Sequence, residues 1–205
     1  AGWQWKGTIH NYMEATGEKA PRVHLDKVFI RTHEFEGAKS HGFQDAGQKY
    51  RRDIAMMQQE LAGQEPSREN IHRFFQLAWL YQVIHDSETS VRLFGQVSGF
   101  EAAPLHMRYM ADIIAGRQLF NKGDRQGALE YFGHAFTLSP VRKEYFYYRA
   151  LAHIGAGEIP QAVGLLEQAL RQTEQEPDYW VMEYMVYEWK IGYELCLLYG
   201  RTGRT

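Results

Sequence analysis

The sequence has almost no cysteine and almost no net charge. Lys and Arg number 23 against 25 Asp and Glu, so the formal net charge at pH 7 is -2. Because no excess of positive charge exists to hold phosphate groups or an anionic membrane surface, we expect no nucleic-acid partner. The one cysteine, Cys196, excludes an internal disulfide framework. It stands in the apolar run YELCLLYG, which predicts a small buried side chain rather than a nucleophile.

Long apolar runs are also missing from the chain. No stretch approaches the roughly 18 apolar residues that a membrane-spanning helix needs, so no span is predicted. The first residues, AGWQWKG, lack the charged start and apolar stretch of a signal peptide, and we expect a cytoplasmic protein. The absence of an initiating Met favours a chain cut from a longer one. With 44% hydrophobic and 14% aromatic residues, the 205 residues can fill a core.

An internal repeat is the strongest pattern in the sequence. The stretch GDRQGALEYFGHAFTLSP, residues 123–140, is answered by GEIPQAVGLLEQALRQTEQEP, residues 157–177. The two are about one 34-residue unit apart. Small residues recur at matching positions, Gly116 with Ala150 and Ala128 with Ala162. Such positions allow two helices to approach closely, so the pattern predicts stacked helical pairs.

These residues resemble the tetratricopeptide repeat, a pair of helices joined by a glycine turn. The resemblance implies a mainly all-α fold, a tetratricopeptide-type superhelix preceded by a short N-terminal β and loop segment. The repeat residues are Ala115, Gly116, Leu119, Gly123, Ala128, Phe132, Ala135 and Pro140. The units are expected at about 71–105, 109–140 and 143–177 within a repeat region of 67–205, closed by a capping helix at 179–200. In the first unit Ser90 stands where the second helix otherwise carries a small apolar residue.

The first 66 residues differ in character from the repeats. The stretch VHLDKVFIRTH, residues 23–33, is rich in β-favouring residues and predicts one or two short strands within residues 1–45. Residues 46–66 are predicted to form a linker helix that ends near Gly63 and Pro66, because four apolar residues fall at helical spacing. These four are Tyr50, Ile54, Met57 and Leu61.

The order of these parts is similar to the C-terminal portion of bacterial family 2 glycosyltransferases that carry tetratricopeptide repeats. The segments WQWKGTIHNYM, VHLDKVFIRTHEF and KYRRDIAMMQQEL precede the repeats in the same succession. The resemblance implies that residues 1–45 end a GT-A domain and that His10 helps to coordinate a divalent metal. Asn11 follows where the family has an acidic residue. His33, Arg51 and Arg52 match family positions to which we assign no catalytic role.

The two carboxylates of a DxD motif, which would hold Mn²⁺ or Mg²⁺ against a nucleotide-sugar, do not occur in this sequence. The chain is therefore expected to bind no cofactor itself and to be inactive alone, its repeats positioning an acceptor or partner for the parent enzyme. The alternative hypothesis is a stand-alone repeat scaffold for protein interactions. A zinc site can also be imagined, although solvated or packing histidines are the favoured interpretation. Its histidines would be His10, His24, His33 and His41.

A peptide or protein is the expected partner, because repeat arrays of this kind bind along the concave face formed by their first helices. An alternative is that the aromatic residues there only pack against the next helix. By repeat position the face contains Phe75, Trp79, Ile113, Arg117, Phe120, Asn121, Tyr147 and Leu151.

The C-terminal stretch EQEPDYWVMEYMVYEWK is rich in Tyr and Trp. We expect these rings to cover the last repeat and to leave a polar face that carries Glu183 and Glu188. Exposed rings would instead indicate self-association into a homo-oligomer.

Overall fold

The computed structural model describes residues 2–6, 12–16, 46–172 and 185–202. The chain divides into two compact units, 1–64 and 65–205. In the first unit, strands β1 (Gly2–Lys6) and β2 (Tyr12–Thr16) form an antiparallel hairpin in which Trp5 lies opposite Met13. The hairpin lies within residues 1–45, where one or two short strands were predicted. The stretch 23–33, whose composition carried that prediction, lies outside the described residues.

Helix α1 (Ala46–Leu61) also belongs to the first unit. Ile54, Met57 and Leu61 are buried on one face of this helix, at the spacing that the sequence shows. A left-handed Gly63, with φ of 72°, follows its end. Glycine adopts this backbone conformation without steric cost, which explains why the helix stops there.

The second unit is a succession of antiparallel helical pairs, and the expected mainly all-α repeat architecture is confirmed. A π-helical turn (Val186–Lys190) leads into the last helix, α8 (Ile191–Thr202). The three pairs are α2 (Ile71–Val83) with α3 (Ser87–Gly99), α4 (Leu105–Asn121) with α5 (Arg125–Leu138), and α6 (Lys143–Gly155) with α7 (Ile159–Arg171).

The first helix of each pair ends in the same left-handed turn. Gly123 and Gly157 have φ of 86° and 76°, and His85, with φ of 64°, takes the equivalent place after α2. In each turn the next backbone N–H donates to a carbonyl five residues earlier, as from Asp124 to Leu119 at 3.0 Å. Gly123 is thus the helix-ending residue that the repeat pattern predicts. For His85, which has a Cβ, the same left-handed conformation costs roughly 1 to 2 kcal/mol.

Close contact between paired helices depends on small residues, as the repeat pattern predicts. Ala78 and Ala150 are fully buried on α2 and α6, and Gly116 is buried at the same position of α4. On α3, Ser90 occupies the position of the small residue, and it does not weaken the contact between the two helices. Its hydroxyl is buried and donates to the carbonyl of Ala78 at 2.8 Å. The two helices of the first pair are therefore also in close contact at this position.

Gly116 faces the ring of Phe132 directly, and we expect Gly116→Ala to lower the free energy of unfolding by about 1 to 2 kcal/mol. An added Cβ would lie 2.5 Å from Phe132 Cε1, and Phe132 is itself 1% exposed, so the ring has no room to retreat. The overpacking exceeds the helix propensity gained by Ala, which is about 1 kcal/mol. Urea unfolding followed by circular dichroism measures the change.

Gly133→Ala is the matched control for this substitution. Gly133 is exposed on α5, and a Cβ there would meet nothing within 4 Å, so this change is expected to stabilise by up to about 1 kcal/mol. In the next pair, Ala150 occupies the position of Gly116, and Leu166 occupies the position of Phe132. Phe132→Leu should therefore relieve part of the Gly116→Ala defect. Equal stabilisation by both alanine substitutions would contradict the close contact.

A buried charged cluster joins α4, α6 and the π-helical turn. Glu144 is fully buried and accepts from Tyr187 Oη at 2.7 Å, from Arg142 Nη2 at 3.3 Å and from Tyr109 Oη at 3.5 Å. The guanidinium of Arg142 lies over the Tyr109 ring, 4.4 Å from its centre. Burial and the Glu144 charge raise the pKa of both tyrosines, so both phenols remain protonated donors.

The C-terminal helix differs from its prediction. Residues 179–184 lie outside the described part of the chain, and from 186 to 190 the expected uninterrupted α-helix is a π-helical turn. Because this turn bonds i to i+5, Val186 is buried on the same side as Ile191, five residues later. Within the described residues, no helix has both the length and the apolar character to cross a membrane.

The expectation that Cys196 is buried is wrong. Cys196 is exposed, because Leu195 and Leu198 occupy the buried face and Cys196 is turned away from it. Of the rings expected to cover the last repeat, Trp189 is exposed and does not cover it, while Tyr179, Trp180 and Tyr184 lie outside the described residues. Tyr187 does contact the repeat, through Glu144.

Candidate partner-binding face

The first helices of the pairs, α2, α4 and α6, carry the residues predicted to contact a partner. Trp79 is the most accessible apolar side chain among them, at 41% exposed, and Asn121 is exposed near the end of α4. The other accessible members are half-buried. We call this surface the inner face, and it comprises Phe75, Trp79, Arg117, Phe120, Asn121 and Leu151.

Two predicted contact residues do not belong to the inner face. Ile113 is 0% exposed and Tyr147 is 6% exposed, so both side chains are part of the core and cannot touch a partner without rearrangement. Tyr147 packs edge to face on Tyr148, and Lys190 Nζ lies 5.7 Å from the centre of its ring. Position within the repeat placed both residues on the correct helices. It did not predict their burial, which depends on the neighbouring helices.

Arg117 is held in place by a tyrosine that the sequence analysis did not select. Its guanidinium lies 5.2 Å from the centre of the Tyr148 ring, which stacks on Phe132. A cation over an aromatic face is attracted to it and loses rotational freedom. The half-buried charge is therefore held close to the Tyr148 ring. In the sequence, the adjacent Tyr147 and Tyr148 indicate that an aromatic ring could contact Arg117. Only the tertiary packing shows that this ring is Tyr148.

Packing explains part of the aromatic content of the inner face. Phe75 lies edge-on to Phe94 of the same helical pair, with ring centres 5.2 Å apart. Phe120 lies against Gly155, where an added Cβ would be 3.7 Å from its Cζ. These contacts leave the rings half-buried, in agreement with the alternative that aromatics here pack the next helix. Trp79 retains the largest exposed apolar surface.

Gln82 adds an acceptor that the sequence analysis missed. Its Oε1 atom is buried and has no hydrogen-bond partner among the described residues. Gln82 follows Trp79 by three residues, so both lie on one face of α2. Burial, followed by the nearby His106, lowers the pKa of His72 on the same helix, so His72 is neutral at pH 7. The inner face thus combines the exposed Trp79 with the positive charge of Arg117.

A second cluster contains the residue types of a serine hydrolase but not the required geometry. Ser98 Oγ and Asp112 Oδ2 both contact His134 Nδ1, at 3.1 and 2.8 Å. A hydrolytic triad needs the serine and the carboxylate on opposite ring nitrogens. Ser98 is also buried and donates to Asp112 Oδ1 at 2.5 Å. The cluster therefore links α3, α4 and α5 as a structural unit and does not form a proton relay.

The metal-related predictions fall on residues outside this region. His10, the metal ligand implied by the glycosyltransferase resemblance, lies outside the described residues, as do His24, His33 and His41. Within the part of the chain that is described, no three His, Cys, Asp or Glu residues come together as a metal site would require.

Solved structures similar to this chain are built from helical repeats. The crystal structure of MamA is 18% identical with a TM-score of 0.54 and covers 79% of this chain and 87% of that one. The Yersinia enterocolitica type III secretion chaperone SycD, in complex with a peptide of the translocator YopD, is 13% identical with a TM-score of 0.55 and covers 66% and 97%. PcrH in complex with the chaperone-binding region of PopD is 13% identical, with a TM-score of 0.54, and covers 67% and 96%.

The fold is that of a tetratricopeptide-like helical repeat protein. No protein-family model matches the sequence, and no curated protein matches it significantly. Nothing in these comparisons supports a glycosyltransferase parent. In a tetratricopeptide-like array the first helices form an extended surface that suits an elongated ligand, and the inner face lies on those helices.

Proposed function

We propose that the chain is a binding scaffold that holds an extended segment of a partner protein along the inner face. The observation that carries the proposal is Trp79, whose ring keeps 41% exposure on the same helical surface as Phe75 and Gln82. Exposed tryptophan beside half-buried aromatics is the composition that protein interfaces use for their strongest contacts. The stand-alone scaffold is therefore preferred to a portion of a glycosyltransferase.

The chemistry of the inner face specifies the kind of segment that it would hold. Trp79 and Phe75 favour an apolar or aromatic side chain. Arg117, held over Tyr148, favours an acidic group. The expected ligand is an extended peptide with an apolar anchor and a nearby carboxylate.

Two structural neighbours were solved with a segment of another protein bound. SycD was solved with a peptide of YopD, and PcrH was solved with the chaperone-binding region of PopD. Their identity to this chain is 13%, so the likeness itself extends to the fold alone, and the partner is to be found by experiment.

A displayed library of random peptides, selected on the purified chain, tests the proposal. We expect selected peptides to contain an apolar or aromatic anchor with an Asp or Glu nearby. Their affinity, measured by fluorescence anisotropy, should fall by at least about 10-fold in Trp79→Ala. Replacing Arg117 with Met should weaken peptides that contain the acidic residue more than variants of them that lack it.

Leu170→Ala is the matched control, because Leu170 is an exposed apolar residue on the second helix of its pair, at 54% exposure. It should leave peptide affinity unchanged. The proposal is wrong if no peptide is enriched, or if the enriched peptides bind Trp79→Ala as tightly as the unaltered chain. Circular dichroism of each variant shows that the fold is retained.

A further inference from the structure

The outward side of the C-terminal helix is apolar. Four side chains spaced by four residues are each about half exposed, and we call them the terminal stripe. They are Met185 at 51%, Trp189 at 50%, Tyr193 at 53% and Leu197 at 46%. The exposed Cys196 lies beside them. Exposed apolar side chains that lie together on one helix face mark an interaction surface.

The terminal stripe is held rigidly by the opposite side of its own helix. Val186, Ile191, Leu195 and Leu198 are buried there. Two tyrosines fix the segment at both ends, since Tyr187 Oη donates to Glu144 and Tyr199 Oη donates to Glu167, each at 2.7 Å. Trp189 and Tyr193 also pack edge to face, with ring centres 5.9 Å apart. A preorganised surface loses little conformational entropy when it is covered.

We propose that the terminal stripe is a two-fold interface between two copies of this chain. The even spacing makes the stripe self-complementary, as an isologous interface requires. A two-fold axis midway between Trp189 and Tyr193 places Trp189 against the second copy's Tyr193 position and Met185 against its Leu197 position. Met, Trp and Tyr are also the side chains enriched in interface cores. This interface lies on a different helix from the inner face, so a dimer leaves peptide binding open.

The exposed area sets the strength of the association. A half-exposed large side chain presents on the order of 100 Å². Four such residues on each of two copies bury somewhat less than about 1,000 Å², which is at the lower limit for a specific interface. The dimer is therefore a weak one, with a dissociation constant in the micromolar range, and its population depends on protein concentration.

Sedimentation equilibrium over a range of concentrations tests the interface. The unaltered chain is expected to pass from 23.9 kDa to twice that mass as concentration rises. The double variant Trp189→Glu/Tyr193→Glu is expected to dimerise at least 100-fold more weakly, because four buried carboxylates would face each other. Leu105→Glu is the matched control, since Leu105 is an equally exposed apolar residue at the start of α4. It should dimerise like the unaltered chain.

The single cysteine provides a second measurement. A nitroxide on Cys196 can report only a distance between copies, because the chain has no other cysteine. The proposed axis puts the two labels on the order of 20 Å apart, from the helical rise and the spacing of packed helices. The proposal is overturned by a chain that is monomeric at every concentration, or by a double variant that still dimerises. A much longer distance between the labels also overturns it.

Discussion

Arg142→Met is expected to lower the free energy of unfolding by about 3 to 5 kcal/mol. The substitution removes the cation beside Glu144 while the carboxylate remains fully buried. Tyr187 and Tyr109 would still donate hydrogen bonds to it, but neither neutralises a charge. The contact of the guanidinium with the Tyr109 ring is also lost. Urea unfolding followed by circular dichroism measures the effect.

An exposed ion pair on α7 is the matched control for this prediction. Arg171 and Glu167 are four residues apart with Nη1 and Oε2 at 3.8 Å, and the side chain of Arg171 is 70% exposed. Arg171→Met is expected to change the free energy of unfolding by less than about 0.5 kcal/mol, because surface pairs contribute little. If both arginine substitutions have the same small effect, Glu144 does not depend on Arg142.

The double variant Arg142→Met/Glu144→Gln separates charge from packing. The Gln carbonyl can still accept from the tyrosine hydroxyls, but no charge is buried. The double variant should therefore be more stable than Arg142→Met alone by about 2 kcal/mol. If it is no more stable, the loss in Arg142→Met comes from the missing side-chain volume and ring contact.

Asp112→Asn is expected to remove a pH dependence of stability. Burial raises the pKa of Asp112 from 3.8 to about 6, although the hydrogen bond from Ser98 and the hydrogen bond and charge of His134 oppose the shift. The folded chain therefore keeps the Asp112 proton to a higher pH than the unfolded chain does. The resulting stabilisation is complete below about pH 4 and is lost as pH rises through about 6.

The size of the effect follows from the shift in pKa. A shift from 3.8 to about 6 corresponds to roughly 3 kcal/mol of unfolding free energy. The unaltered chain should lose that amount, relative to Asp112→Asn, between pH 4 and pH 7. Subtracting the two unfolding curves at each pH removes the contribution of groups that do not interact with Asp112, while the interaction with His134 stays in the difference. Curves that stay parallel would show that the Asp112 carboxyl is not shifted.

Asp124→Asn serves as a control for the loss of one carboxylate. Asp124 accepts from the backbone N–H of Gly127 at 2.9 Å as the N-cap of α5, a role that Asn performs equally well. Its unfolding free energy at pH 7 should stay close to that of the unaltered chain. A large change in this variant would indicate that charge removal in general, and not burial at Asp112, affects stability.

The sequence by itself was enough to predict the repeat architecture. Gly116 beside Phe132, and the turns at Gly123 and Gly157, are local requirements for close helix approach and left-handed backbone. Because these requirements recur at repeat spacing, the helical-repeat fold can be predicted from the sequence without a tertiary structure. The sequence also placed Trp79 on the first helix of its pair, but it left open whether the side chain is exposed or packs against the next helix.

Tertiary structure alone decided which of those side chains are accessible. Ile113 and Trp79 are both apolar residues on first helices, yet Ile113 is buried by neighbouring helices and Trp79 is not. The exposure of Cys196 and Tyr193 likewise depends on which side of α8 packs on the array, after a π-helical turn that repeat periodicity does not reveal. Periodicity determines the face on which a residue lies. Burial depends on what packs against that face, and those contacts come from residues distant in the sequence.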